Sequence, residues 1–158
     1  IPEAGPTGYK RLAMLHAFNY SVPGIPCIYY GDEIGFPGAN DPDNRSMMHF
    51  GDWNKNEQLL FNQVAELNQL RSTELPLIYG STEIYVEGSL ILIRRNYFEQ
   101  SILVVFNLSE EEQKISLPFE MELKRSLNTV RNGLINDGQE RLGPAPIKGL
   151  SYQIFANY

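Results

Sequence analysis

The run Pro23-Gly24-Ile25-Pro26-Cys27-Ile28-Tyr29-Tyr30-Gly31-Asp32-Glu33 constrains this chain more than any other stretch. Its apolar centre, Ile25 to Tyr30, has Pro and Gly before it and Gly with two carboxylates after it. That pattern predicts a short strand buried on both faces, ending where polar chemistry begins. Cys27, the single cysteine, lies inside the run. One cysteine excludes an internal disulfide and cannot make a zinc site alone. With no polar neighbour to lower its pKa, it is expected as a small packed thiol rather than a nucleophile.

Helical patterns flank the run. From Thr7, a residue able to cap, Tyr9, Leu12, Ala13, His16, Ala17 and Tyr20 follow one face, and Met14, Leu15 and Phe18 cover another. A helix apolar around so much of its girth expects neighbours on several sides. His16 within the stripe is expected as a hydrogen-bonded packing residue. Val22-Pro23-Gly24 stops the helix. Further on, Asn54 with Glu57 resembles a capping box, Leu60, Val64, Leu67 and Leu70 form a stripe with Leu59 and Phe61 beside it, and Glu74-Leu75-Pro76 closes it. Helix, tight turn, buried strand and polar loop make one αβ step of a parallel α/β architecture.

The loop from Gly31 to Asp52 is long, and it follows the carboxyl end of the expected strand, the edge where parallel α/β folds and barrels place their sites. Asp32 and Glu33 invite a catalytic reading. If the strand extends that far, however, adjacent side chains point to opposite faces, whereas a glycosidase pair must face one bond with carboxyls about 5–9 Å apart. Asp41, Asp43 and Asp52 span the length of a calcium loop, but Ser46 stands where its glycine is needed and Asp52 where its glutamate is needed. Asp41 and Arg45, held by a Pro42 turn, form a carboxylate–guanidinium couple. It suits either the paired hydroxyls of a sugar or an internal ion pair that fixes the loop. Trp53, after His49 and Phe50, is expected to anchor packing, with sugar stacking the alternative.

Beyond Pro76 the periodicity changes. Leu77–Tyr79, Glu83–Glu87, Leu90–Arg95, Ile102–Asn107, Gln113–Leu117, Glu122–Val130, Leu134-Ile135 and Tyr152–Phe155 read as short strands. Turn signals separate them, Asn132-Gly133 and Asp137-Gly138 among them, and Pro144-Ala145-Pro146 precedes the last. Seven or eight antiparallel strands at this spacing predict a Greek-key β-sandwich. The fold expected is therefore mixed: one αβ step of a parallel α/β architecture, with its closing helix, over residues 1–76, then an all-β sandwich over 77–158.

Charge and composition exclude several classes. The 158 residues are 42% hydrophobic and 20% charged, neither disordered nor membrane-like, and no apolar run approaches the ~20 residues of a spanning helix. A net charge of −6 disfavours nucleic acid and anionic membranes. Glu110, Glu111 and Glu112 form the one like-charge run, expected at a solvated strand end.

The succession PGIPCIYYGDEIG, DPDNR and a Met–x–Phe/Trp element resembles the α-amylase family, glycoside hydrolase family 13, over about residues 7 to 75. The resemblance implies that Ile25–Tyr30 is the eighth barrel strand, that the flanking helices are the seventh and eighth, and that the strand-rich remainder is the family's C-terminal β-sandwich. It implies that Asp41 and Arg45 contact glucose units on the non-reducing side of the cleaved bond. The family's catalytic aspartate, glutamate and second aspartate lie on earlier strands, and no residue before Thr7 supplies the His-Asp motif. The expectation is thus the C-terminal part of a retaining α-glucan hydrolase or transglycosylase, with no catalytic residue of its own, no cofactor, and any calcium site upstream. Its partners would be an α-glucan oligosaccharide and the upstream barrel. With unpaired barrel edges, the helices should fold back on the sandwich or two chains should associate. The competing expectation is a stand-alone carbohydrate-binding or structural module, with Tyr79, Tyr85, Tyr97 or Tyr152 stacking on sugars. Compartment is left open.

Overall fold

The first helix, α1, spans Pro6–Ser21; Ala13, His16, Ala17 and Tyr20 of the predicted stripe are inside, Tyr9 and Leu12 are half-buried, and Met14 and Ser21 are buried beside them. Pro6 stands in the first turn, where its missing N–H costs nothing. Gly5 therefore holds the cap position and Thr7, expected to cap, lies within the helix. The computed structural model describes residues 5–38, 41, 42, 45–127, 130, 131, 134, 135 and 146–158. Helix α2, Lys55–Thr73, opens with the full capping box. The Asn54 side chain accepts the N–H groups of Asn56 and Glu57 at 2.8 and 3.1 Å, and the Glu57 carboxylate accepts that of Asn54 at 2.7 Å. Leu60, Val64 and Leu67 are buried along its inner face.

A short helix α3, Leu75–Tyr79, replaces the strand expected over Leu77–Tyr79. Pro76 sets a helical φ in its first turn, and the Glu74 carbonyl accepts the N–H groups of Leu77 and Ile78, so the chain closes on itself before any strand partner is reached.

The strands are β1 (Ser81–Glu87), β2 (Leu90–Tyr97), β3 (Gln100–Asn107), β4 (Arg125–Ser126), β5 (Val130–Arg131), β6 (Leu134–Ile135) and β7 (Ser151–Ala156). Five make one antiparallel sheet in the order β1-β2-β3-β7-β4, and β5 pairs with β6. The Asn132-Gly133 and Asp137-Gly138 turns and Pro144-Ala145 lie outside the described residues. Each face of the sheet has its own cover. Ile93, Ile102, Val104, Phe106, Tyr152, Ile154 and Ala156 share one core with α1, α2 and Leu77 of α3. Leu90, Leu92, Leu103, Val105 and Phe155 face the other way, under Ile115, Leu117, Phe119, Met121 and Leu123. Strands buried on both faces explain why 102–106 reads as an unbroken apolar run.

The segments 113–117 and 122–130 depart from the strand expectation in an instructive way. From Gln113 to Leu123 every odd residue is buried or half-buried and every even one exposed, the period of a strand. Yet the ladder is limited to a bridge between Gln113 and Ile147 and to the two residues of β4 among those described. Side-chain burial, not hydrogen bonding, holds this stretch against the sheet.

The organising run of the sequence is where the structure departs most. Residues 25–30 form no strand; Ile25 is 95% exposed and Cys27 is exposed as well. A strand has backbone donors and acceptors that require a neighbour, and none of the described residues pairs with this one. The Cys27 carbonyl is held instead by the Asn19 side chain, which donates to it at 2.8 Å. The packed thiol expected from the apolar run is thus a surface thiol here.

Candidate functional site

The polar loop after residue 30 is fixed at both ends. Asp32–Ile34 forms one turn of 3-10 helix between Gly31 and Gly35, both at positive φ, 85° and 68°. A Cβ on Gly31 would stand 2.6 Å from Phe36 Cβ, and one on Gly35 would stand 2.7 Å from the Tyr9 ring, so only glycine fits either place. The turn drives Ile34 fully inside, against α2. The far end is secured by aromatic and polar contacts. Tyr30 donates its hydroxyl to the Ser46 carbonyl at 2.8 Å, and Phe36 sets its ring against Tyr30 and His49. His49 Nε2 lies 3.6 Å from Glu57. Trp53 donates Nε1–H to the His49 carbonyl at 3.4 Å and packs on Phe61, with ring centroids 4.7 Å apart. Trp53 therefore anchors the entry to α2 while lining an open depression with Asn54, Lys55, Gln58, Leu59 and Asn62.

Asp41 and Arg45 stand between these two anchors. Arg45 Nε lies 3.0 Å from Asp41 Oδ1 and Nη2 donates to Oδ2 at 3.2 Å, a two-point contact, while the Arg45 N–H closes a turn on the Pro42 carbonyl. The Asp41–Pro42 peptide is cis. Both side chains are open to solvent, Arg45 by 77% and Asp41 by 63%. An exposed ion pair contributes at most about 1 kcal/mol to stability. What the contact does accomplish is orientation: it holds a planar donor and an acceptor side by side with outer lone pairs and N–H groups still facing solvent. Asp43, between them, lies outside the described residues.

Asp32 and Glu33 occupy neighbouring positions on the 3-10 turn rather than alternating along a strand. Burial raises the Asp32 pKa, the charge of His16 opposes that rise, and Glu33 adds to it. His16 itself is buried with Nε2 3.1 Å from the Asp32 carbonyl, the packing role its stripe predicts. Two carboxyls on successive residues of one turn do not flank a sugar from opposite sides, as the acid/base and nucleophile of a retaining glycosidase must. Among the described residues no three His, Cys, Asp or Glu side chains gather as metal ligands, and no helix is long and apolar enough to cross a membrane.

The tyrosines divide by position. Tyr152 is buried, and Tyr85 is half-buried against Phe119 with its hydroxyl donated to Glu83. Tyr79 is 69% exposed and contacts the half-buried Tyr97.

A cyclomaltodextrinase of Thermoanaerobacter pseudethanolicus is 36% identical to this chain over 108 residues, covering 68% of the chain and 19% of that protein. An intracellular maltogenic amylase of Bacillus subtilis is 35% identical over 135 residues, 81% of the chain and 21% of that protein. Its homologues are α-amylase family enzymes, of glycoside hydrolase family 13. No protein-family model matches. The solved structure of an Anoxybacillus α-amylase superposes with a TM-score of 0.75 at 28% identity, covering 94% of this chain and 32% of that one. A Geobacillus thermoleovorans α-amylase, at 22% identity and TM-score 0.73, shares the fold. The matched stretch spans about a fifth of the cyclomaltodextrinase and maltogenic amylase just described. The α-amylase resemblance drawn from PGIPCIYYGDEIG and DPDNR is thereby established across most of the chain.

Two arginines, one buried and one half-buried, escaped the sequence reading. Arg95, 1% exposed on β2, donates Nη1–H to the Ser21 carbonyl at 2.8 Å and Nη2–H to the Gly80 carbonyl at 2.9 Å. Arg71 of α2 donates to the carbonyls of Leu77 and Gly24. Together they hold the ends of α1 and α3, where carbonyls are left over and the helix dipole is negative. The signal was the Arg94-Arg95 pair inside a strand, where alternation puts one of the two on the buried face.

Proposed function

We propose that this chain is the C-terminal portion of an α-glucan-acting, retaining enzyme of the α-amylase family, contributing a sugar-contacting loop and a structural β-domain. The finer layout follows from the same reading: 1–76 as the helix-strand-helix that completes a (β/α)8 barrel, and 77–158 as the β-sandwich behind it. The observation that carries it is the exposed two-point Asp41–Arg45 couple on a loop pinned by Gly31, Gly35 and Phe36. A preset acceptor and donor pair matches the vicinal hydroxyls of glucose. Two further features agree. Leu15, Ile25, Tyr29, Met47 and Phe50 are large apolar side chains left open to solvent, as expected where the remaining staves of a barrel would lie. The Ile25–Tyr30 run is patterned for a ladder that its neighbours would complete. In this reading the chain supplies substrate contacts and no acid/base or nucleophile, and it requires no cofactor of its own.

The test is a chimera of the cyclomaltodextrinase relative carrying this chain in place of its own homologous stretch, assayed by reducing-sugar release from maltodextrin. The isolated chain should release nothing above a heat-killed control. The chimera should be active, and Asp41→Ala or Arg45→Ala should raise KM at least about fivefold, the loss of one charge-assisted hydrogen bond. An isolated chain that hydrolyses maltodextrin, or an active chimera indifferent to both substitutions, overturns the proposal.

A further inference from the structure

We infer that Tyr79, Tyr97 and Phe98 form an accessory α-glucan-binding platform on the β-domain; the inference rests on the α-glucan reading above. The observation behind it is a phenylalanine where the backbone asks for glycine. Two hairpins of the sheet have two-residue loops, Gly88-Ser89 between the paired Glu87 and Leu90, and Phe98-Glu99 between the paired Tyr97 and Gln100. In each the first loop residue has positive φ, 57° at Gly88 and 50° at Phe98. Primed hairpin turns favour glycine there, and a bulky side chain at positive φ is an outlier that points to function. The first hairpin follows the rule and the second breaks it.

Packing does not compensate Phe98, which is 86% exposed. Its ring instead meets Tyr97 edge to face, with centroids 4.7 Å apart, and Tyr97 meets Tyr79 at 6.0 Å. Three contiguous rings thus extend from the end of α3 to the tip of the β2–β3 hairpin. The hydroxyls of Tyr79 and Tyr97 have no hydrogen-bond partner among the described residues. Rings offering faces and edges, two of them bearing phenolic hydroxyls, suit the C–H faces and hydroxyls of a glucan. The ligand class is a linear or cyclic α-1,4-glucan.

The test is affinity electrophoresis of the 158-residue chain in gels with and without amylose, together with calorimetric titration by maltoheptaose. Two variants serve: Phe98→Gly and Tyr79→Ala/Phe98→Gly. The unsubstituted chain should be retarded by amylose. The double platform variant should lose at least about tenfold in affinity, the contribution of one to two ring contacts. Phe98→Gly should fold at least as well as the parent, because glycine relieves the positive φ, so lost binding there is not lost folding. Retardation unchanged in the double platform variant, or no retardation of the parent chain, overturns the platform while the chimera assay still decides the α-glucan reading. Concentration-dependent self-association abolished by Phe98→Gly, without glucan binding, assigns the rings to a protein interface and also overturns it.

Discussion

Replacing Arg95 tests how the helices are tied to the sheet. The guanidinium is 1% exposed and reaches two carbonyls, Ser21 at 2.8 Å and Gly80 at 2.9 Å. Each charge-assisted hydrogen bond contributes roughly 1.5–3 kcal/mol, a gross gain of about 3–6 kcal/mol. Against this stand an Nε without a partner among the described residues and the desolvation of a buried cation with the repulsion from Arg71, the last two of which hold the Arg95 pKa below its ordinary value. Arg95→Met keeps most of the stem's packing and leaves two helix-end carbonyls without their donors, at about 1–3 kcal/mol each. The expected net loss is about 2–4 kcal/mol, read by urea denaturation followed by circular dichroism. Arg95→Lys should fall between, because one ammonium cannot reproduce the planar fork that spans both carbonyls. Amide exchange should also quicken at Val22, whose N–H closes the α1 terminus on Phe18. An Arg95→Met protein as stable as the parent would refute the reasoning, since it would mean that the desolvation of the cation equals everything its hydrogen bonds return.

Two other outcomes follow from single side chains. Asn54→Ala removes the acceptor for two α2 amides and should cost about 1 kcal/mol in thermal or urea unfolding, with Asn54→Asp close to the parent. Tyr152 is buried, and burial with the nearby Glu66 charge raises its phenol pKa. The sign follows from proton linkage: above the unfolded tyrosine value of about 10 the unfolded chain gives up a proton that the folded chain keeps, so stability falls as pH rises through that range and is unaffected below it. Tyr152→Phe should flatten the decline in unfolding free energy between about pH 10 and 12; an unchanged slope would remove Tyr152 from the account.

What was legible in the sequence was what short-range physics fixes. The capping box at Asn54 and Glu57, the stripe of α2 and the stop at Val22-Pro23 are each decided within a few residues, and all stand in the structure. The strands Glu83–Glu87, Leu90–Arg95 and Ile102–Asn107 were legible for the same reason, though the left-handed Phe98 between the last two was not. The Asp41–Arg45 couple was legible too, because four residues and a proline bring the two charges together without outside help. Its role with a sugar was carried by resemblance, not by spacing.

The sequence by itself determined the two long helices, the strand lengths that became β1 to β3, and kinship with the α-amylase family. Tertiary structure alone decided what residues 25–30 and 113–123 became. Both carry strand patterning, but a strand is completed by a neighbour's hydrogen bonds, and periodicity records only which side chains are apolar. The 113–123 stretch found a hydrophobic face without a ladder; 25–30 found no ladder and packs only Ile28 on the core, leaving Ile25 and Cys27 in solvent. Arg95 belongs with them, since its partners lie 74 and 15 residues away in sequence and only the packing of α1 and α3 on β2 brings them within reach.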